Sequence, residues 1–241
     1  MEDLISVTIS DRASFELRHV RPLLDAWIKA VMRYCRLQGF QDNPWWVNER
    51  GNLSILAGAA WTLSGWAALA GSPPRKATAE CSEATTSERF NLYVCSRYRR
   101  YAFEATQARQ GIDNGGNEDV VQEALRQAWA NAGNLDIAED DYGIAATFVV
   151  PRIIPSHTRR TSREVREMVV DWLASDPFEF ADRPGDSSPD ALAYVFPGDL
   201  PDSAGDQRQR LFPGVALALF VRKRGTRCDR KNIVPRELRP E

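Results

Sequence analysis

The stretch R-F-N-L-Y-V-C-S-R-Y-R-R-Y-A-F-E-A-T-Q, residues 89–107, decides how the chain is organised. It reads as two short strands, about 89–96 and 99–104, joined by a tight basic turn at Arg97 and Tyr98. This places Asn91 near the start of the first strand and Glu104 near the end of the second.

Helical signals precede this pair of strands. Residues 3–10 carry Leu4, Ile5, Val7 and Ile9 and suit a short edge strand, after which Ser10 or Asp11 suits a helix cap. Pro22 is tolerated in a first helical turn, so a helix is expected from there. Its apolar face is Leu23, Leu24, Trp27, Ile28, Val31, Met32 and Cys35, and Gly39 stops it. A second helix is expected after Asn43-Pro44, carrying Trp45, Trp46, Glu49, Leu53, Leu56 and Trp61. Its small residues, Gly51 and Ala57 to Ala60, allow close approach of another element. Two adjacent tryptophans on a helix point about 100° apart, so one face cannot bury both. The pair Trp45-Trp46 is thus a candidate contact with a protein partner, with packing under the next loop as the alternative. A strand at 66–69 and a polar loop at 71–88, broken by Pro73-Pro74, lead into the central pair.

Alternating elements follow it. Asn114-Gly115-Gly116 signals a turn, and Asn117 caps a helix whose face is Val120, Val121, Ala124, Leu125, Ala128 and Trp129. Gly133 ends that helix. Residues 142–150, YGIAATFVV, are apolar enough for a buried central strand. Thr161 to Glu164 forms a capping box, with a helix to about Ala174. Residues 175–190 are acidic and expected at the surface. Strands at 192–196 and 215–221 complete an α/β fold with one mixed central sheet flanked by helices. One domain over 1–221, with a core of about 44–150, and a basic tail over 222–241 are expected.

Composition narrows the function little. The chain has 241 residues and a formal net charge of −2, so bulk charge points to no nucleic-acid partner. Local charge is more informative. Residues 222–241 carry eight basic side chains against three acids. Arg97-Tyr98-Arg99-Arg100-Tyr101 mixes cations with rings that can touch phosphates and stack on bases, and Arg159, Arg160, Arg163 and Arg166 form a third basic group. Cys35, Cys81, Cys95 and Cys228 form no C-x-x-C pair, and residues 1–10 lack a signal-peptide core, so a cytoplasmic location without a membrane partner is expected. There is no phosphate loop, dinucleotide fingerprint or nucleophile elbow. Two histidines, His19 and His157, are too few for a multi-histidine metal site.

What remains is a glutamate on a helix, a polar residue on one strand and a glutamate on the next. The order of elements, with R-F-N-L-Y and Y-A-F-E-A-T-Q, resembles the PD-(D/E)xK nuclease-like superfamily over roughly residues 44–150. The resemblance implies a restriction-endonuclease-like α-β-β-β-α-β core. It implies catalytic positions at Glu49, Asn91, Glu104 and Thr106, with Asn91 and Glu104 as metal ligands. Asn91 stands where the family has Asp, and Thr106 where it has Lys. A clustered-carboxylate site holds Mg²⁺, which activates water, and the lysine stabilises developing charge. An amide contributes no charge and a threonine no cation. The expectation is therefore a catalytically impaired module that binds nucleic acid, through Arg97, Arg99 and Arg100, or a protein partner. It needs no cofactor, Mg²⁺ entering only if a variant site is active. An active nuclease using Glu49, Glu104 and a further residue such as Glu88, and a protein-interaction subunit or inhibitor, stay open as alternatives. So does an ion pair of Glu104 with Arg99 or Arg100.

Overall fold

The computed structural model describes residues 2–11, 13, 17–46, 48–71, 91–113, 119–135, 137, 141–153, 161–198 and 212–224. The expected turn at Asn114-Gly115-Gly116, the cap at Asn117, the polar loop beyond Gly71, Glu88, His157, Arg159, Arg160, Cys81, Cys228 and tail residues 225–241 lie outside them.

Seven strands form one mixed sheet. They are β1 (Leu4–Ile9), β2 (Trp66–Ala70), β3 (Leu92–Ser96), β4 (Arg100–Gly111), β5 (Asp141–Arg152), β6 (Ala191–Phe196) and β7 (Val215–Arg224), in the order β1-β6-β7-β5-β4-β3-β2. Every neighbouring pair is antiparallel except β4 and β5. A parallel pair needs a crossover, and α3 (Asp119–Gly133) lies in that connection. The other helices are α1 (Arg21–Leu37), α2 (Glu49–Trp61) and α4 (Ser162–Ala174).

The period-2 pattern of the strands sorts side chains to two faces. Tyr101, Phe103, Ile144, Phe148, Leu217 and Leu219 pack beneath α1 and α2. Ala102, Ala108, Ala145, Val149, Ala218 and Phe220 pack beneath α3 and α4. All seven residues of the apolar face read in α1 are buried, and Trp27 packs against Phe148 with ring centroids 6.2 Å apart. Gly39, at φ +56°, takes the left-handed conformation that follows a helix end, where most side chains are strained. The capping box at Thr161 and Glu164 is formed, the Thr161 backbone N–H donating to the Glu164 carboxylate at 2.6 Å.

Several expectations need correction. The helix caps at neither Ser10 nor Asp11; a short 3-10 turn (Leu17–Val20) leads directly into α1. Trp45 and Trp46 are not on a helix, because Asn48 caps α2 by accepting from the Arg50 and Gly51 N–H groups. The helical-angle argument for an exposed tryptophan therefore does not apply to them. Trp45 is fully buried, its indole N–H donating to the Phe212 carbonyl at 3.1 Å, and Trp46 is half-buried against the same core. Gly51 does sit where a Cβ would collide with the Pro44 carbonyl, but Gly58 faces open space. Val120 is exposed rather than part of the buried face of α3.

Three boundaries also shift. The second central strand runs to Gly111, not Glu104, because its whole length pairs in register with β5 out to Arg152. Residues 222–224 belong to β7 and not to a tail. The 175–190 segment is more than a surface loop: Phe178 and Phe180 are buried, Phe180 edge-on to Phe220 with centroids 5.8 Å apart.

Candidate functional site

The turn between β3 and β4 forms as the sequence predicts, with Ser96 N–H donating to the Arg99 carbonyl at 2.7 Å. Leu92 pairs with Phe103, so Asn91 comes next to Glu104 at the open end of the hairpin. The Asn91 side chain does not point outward as a free ligand. Its oxygen accepts the Ala105 N–H at 2.6 Å and extends the ladder one rung beyond the strand.

Glu104 lies on the α3 face of the sheet and is 7% exposed. Burial pushes its carboxyl up to about 7, against the opposing effect of the Asn91 backbone N–H that donates to it. Neither arginine considered for it is its partner. Arg100 sits 3.8 Å from Asp141, and Arg99 folds back to donate to the Tyr98 carbonyl at 3.2 Å. Two residues on, Thr106 shares the Glu104 face. Its hydroxyl donates to the Ala124 carbonyl of α3 at 3.0 Å and lies 3.2 Å from the Thr147 hydroxyl.

Glu49, first residue of α2, borders an open cavity of about 740 Å³ together with Thr106, Gln107 and the α3 residues Glu123, Ala124 and Gln127. The structure thus brings Asn91 beside Glu104, and Glu49 to the same cavity as Thr106. The α3 side of this cavity was missed by sequence reasoning. Its signal was present as Glu123 and Gln127, one turn apart on the helix. Nothing in the sequence, however, told which sheet face α3 would cover.

These residues do not fit a divalent cation. Mg²⁺ asks for near-octahedral oxygen ligands and favours carboxylates. Asn91 offers a neutral amide oxygen that already accepts the Ala105 N–H, which leaves Glu104 as the one carboxylate of the pair. Among the described residues no group of three or more His, Cys, Asp or Glu side chains is placed to hold a metal ion. Cys35 is no ligand candidate either. It is a buried core thiol, pushed up to about 12 by desolvation.

At the closed end of the hairpin the three arginines diverge. Arg100 and Arg99 are engaged as described. Arg97 is exposed and makes neither a hydrogen bond nor an ion pair among the described residues. Tyr98 is 72% exposed, whereas Tyr101, grouped with it by sequence, is fully buried and stacks on Trp66. Arg97 and Tyr98 border a second cleft, of about 320 Å³, shared with His19, Ser64 and Trp66. Those three are distant in sequence, so no motif could have announced them.

Among the described residues, no helix is long and apolar enough to cross a membrane. No family model matches the chain, and no curated protein or solved structure matches it either.

Proposed function

We propose that this chain is a catalytically impaired nuclease-like module of the PD-(D/E)xK type that binds nucleic acid. The observation that carries the reading is the hairpin itself. Asn91 stands beside Glu104, and Thr106 follows on the same face, within the order α2-β2-β3-β4-α3-β5. This is the order of elements that the resemblance implies for a restriction-endonuclease-like core. The impairment follows from the donor set, in which the one strand carboxylate is buried and stands beside a neutral amide rather than a second carboxylate. The Thr106 hydroxyl, tied to Ala124, supplies no cation at the third position.

Nucleic acid is favoured over a protein partner by the exposed Arg97 and Tyr98. The tryptophan pair that motivated a protein contact is occupied by the core. The test is titration of labelled DNA and RNA with the full chain across a salt series, with and without Mg²⁺ or Mn²⁺. Binding that weakens as salt rises, with the nucleic acid left intact, is expected. No binding even at low salt removes the reading. Cleavage that Glu104→Ala abolishes replaces it with the active-nuclease alternative.

A further inference from the structure

The cleft at the closed end of the β3–β4 hairpin has a lining that the Glu104 region lacks. It is lined by the exposed Tyr98 and Arg97 together with Trp66, His19 and Ser64. Trp66 is held by stacking on the buried Tyr101, with centroids 6.4 Å apart and planes 13° from parallel. The turn is held as well. The Ser96 hydroxyl accepts the Arg99 N–H at 3.0 Å and the Tyr98 N–H at 3.4 Å. Two aromatic rings and a cation are therefore presented from fixed backbone, which lowers the ordering cost of binding.

We propose that this cleft seats one unpaired nucleotide of a single-stranded nucleic acid, a base against Tyr98 and Trp66 and a phosphate at Arg97. The proposal rests on the nucleic-acid reading above and deepens it. Its volume of about 320 Å³ falls at the small end of ligand pockets, the scale of a single nucleotide rather than a duplex. Base faces are covered by neighbouring pairs inside a duplex, so stacking on a protein ring selects an unpaired base. Charge points the same way. The cavity at the other end of the hairpin, on the order of 15 Å away, carries Glu49, Glu123 and Arg126, and that arginine is already paired with Glu123 and Asp182. Among the described residues that line the cleft, Arg97 supplies an exposed cation and none is a carboxylate.

The experiment measures fluorescence anisotropy of a labelled oligothymidine strand and of a duplex of equal length, with the full wild-type chain and with Tyr98→Ala, Tyr98→Phe and Arg97→Ala. Both side chains are exposed, so the variants keep the fold. Tyr98→Ala is expected to weaken single-strand binding about tenfold, with Tyr98→Phe close to wild type and duplex binding unchanged. Arg97→Ala is expected to weaken binding and flatten the log–log salt slope by about 0.7. If wild type binds single strand and duplex and Tyr98→Ala changes neither, the cleft proposal is wrong while the nucleic-acid reading stands. If wild type binds neither, both are wrong.

Discussion

The side-chain oxygen of Asn91 accepts the backbone N–H of Ala105 at 2.6 Å, so an amide stands in for a rung of β-ladder where β3 stops. The position that would carry a metal-binding carboxylate in a nuclease-like site is here spent on sheet continuity. The neighbouring Glu104 is left with a backbone donor and, among the described residues, no cation to offset its burial.

Asn91→Ala leaves the Ala105 N–H without that acceptor and is expected to destabilise the fold by about 1 kcal/mol. Asn91→Asp keeps an acceptor but sets a second carboxylate beside Glu104. Like charges disfavour joint ionisation, so this variant should match wild type at acid pH and fall below it above neutrality. Urea unfolding at several pH values checks both, and equal stability of Asn91→Asp and wild type at alkaline pH would contradict the arrangement.

Glu104 makes stability depend on pH with a definite sign. Its folded value, about 7, lies above the ordinary 4.5, so the folded state holds the proton over that window while the unfolded chain has released it. Stability from this group is fully present below about 4.5 and is lost as pH rises through about 7. The loss is roughly 3–4 kcal/mol at most, at about 1.4 kcal/mol for each pH unit of difference. Glu104→Gln should remove it. The wild-type minus Glu104→Gln difference in unfolding free energy should decline across this window, and a flat difference would count against a buried carboxyl.

Phe180 lies in a segment whose composition resembles a surface loop, yet its ring is buried against Phe220 and Trp129. Phe180→Ala should cost about 3–5 kcal/mol, the range for an aromatic removed from a core. A loss under 1 kcal/mol by chemical denaturation would return the segment to the surface.

Asp190 receives both oxygens' worth of contacts from Arg183, at 2.8 and 2.9 Å, and also accepts the Val221 N–H at 2.7 Å. Arg183 in turn lies over the Phe220 ring at 5.2 Å. Asp190→Ala strands a half-buried guanidinium and a backbone donor and should cost about 3 kcal/mol or more. The double variant with Arg183→Ala should lose less than the two single losses combined, which a double-mutant cycle measures.

The sequence by itself determined the elements that local chemistry dictates. The apolar stripe of α1, the capping box of α4, the turn at Arg97-Tyr98 and the buried strand around 144–150 follow from side-chain period, caps and turn residues over short windows. Period alone could not end β4 at Gly111, since Thr106, Gln107 and Gln110 look like a polar exit. Only pairing with β5, the shared hydroxyls of Thr106 and Thr147, and a Trp172 indole N–H donating to Gln110 at 2.7 Å hold that polar half in the sheet. The tryptophan pair departs from the helical expectation for a similar reason: Asn48 wins the cap, and Trp45 finds its acceptor at Phe212, far along the chain. The candidate site divides in the same way. Asn91 and Glu104 were visible as letters in the sequence, but the burial that raises the Glu104 carboxyl comes from tertiary packing. The cleft that gathers His19, Trp66 and Tyr98 exists only because the sheet and α1 meet there. Desolvation and long-range contact are properties of packing, and no short window of sequence contains them.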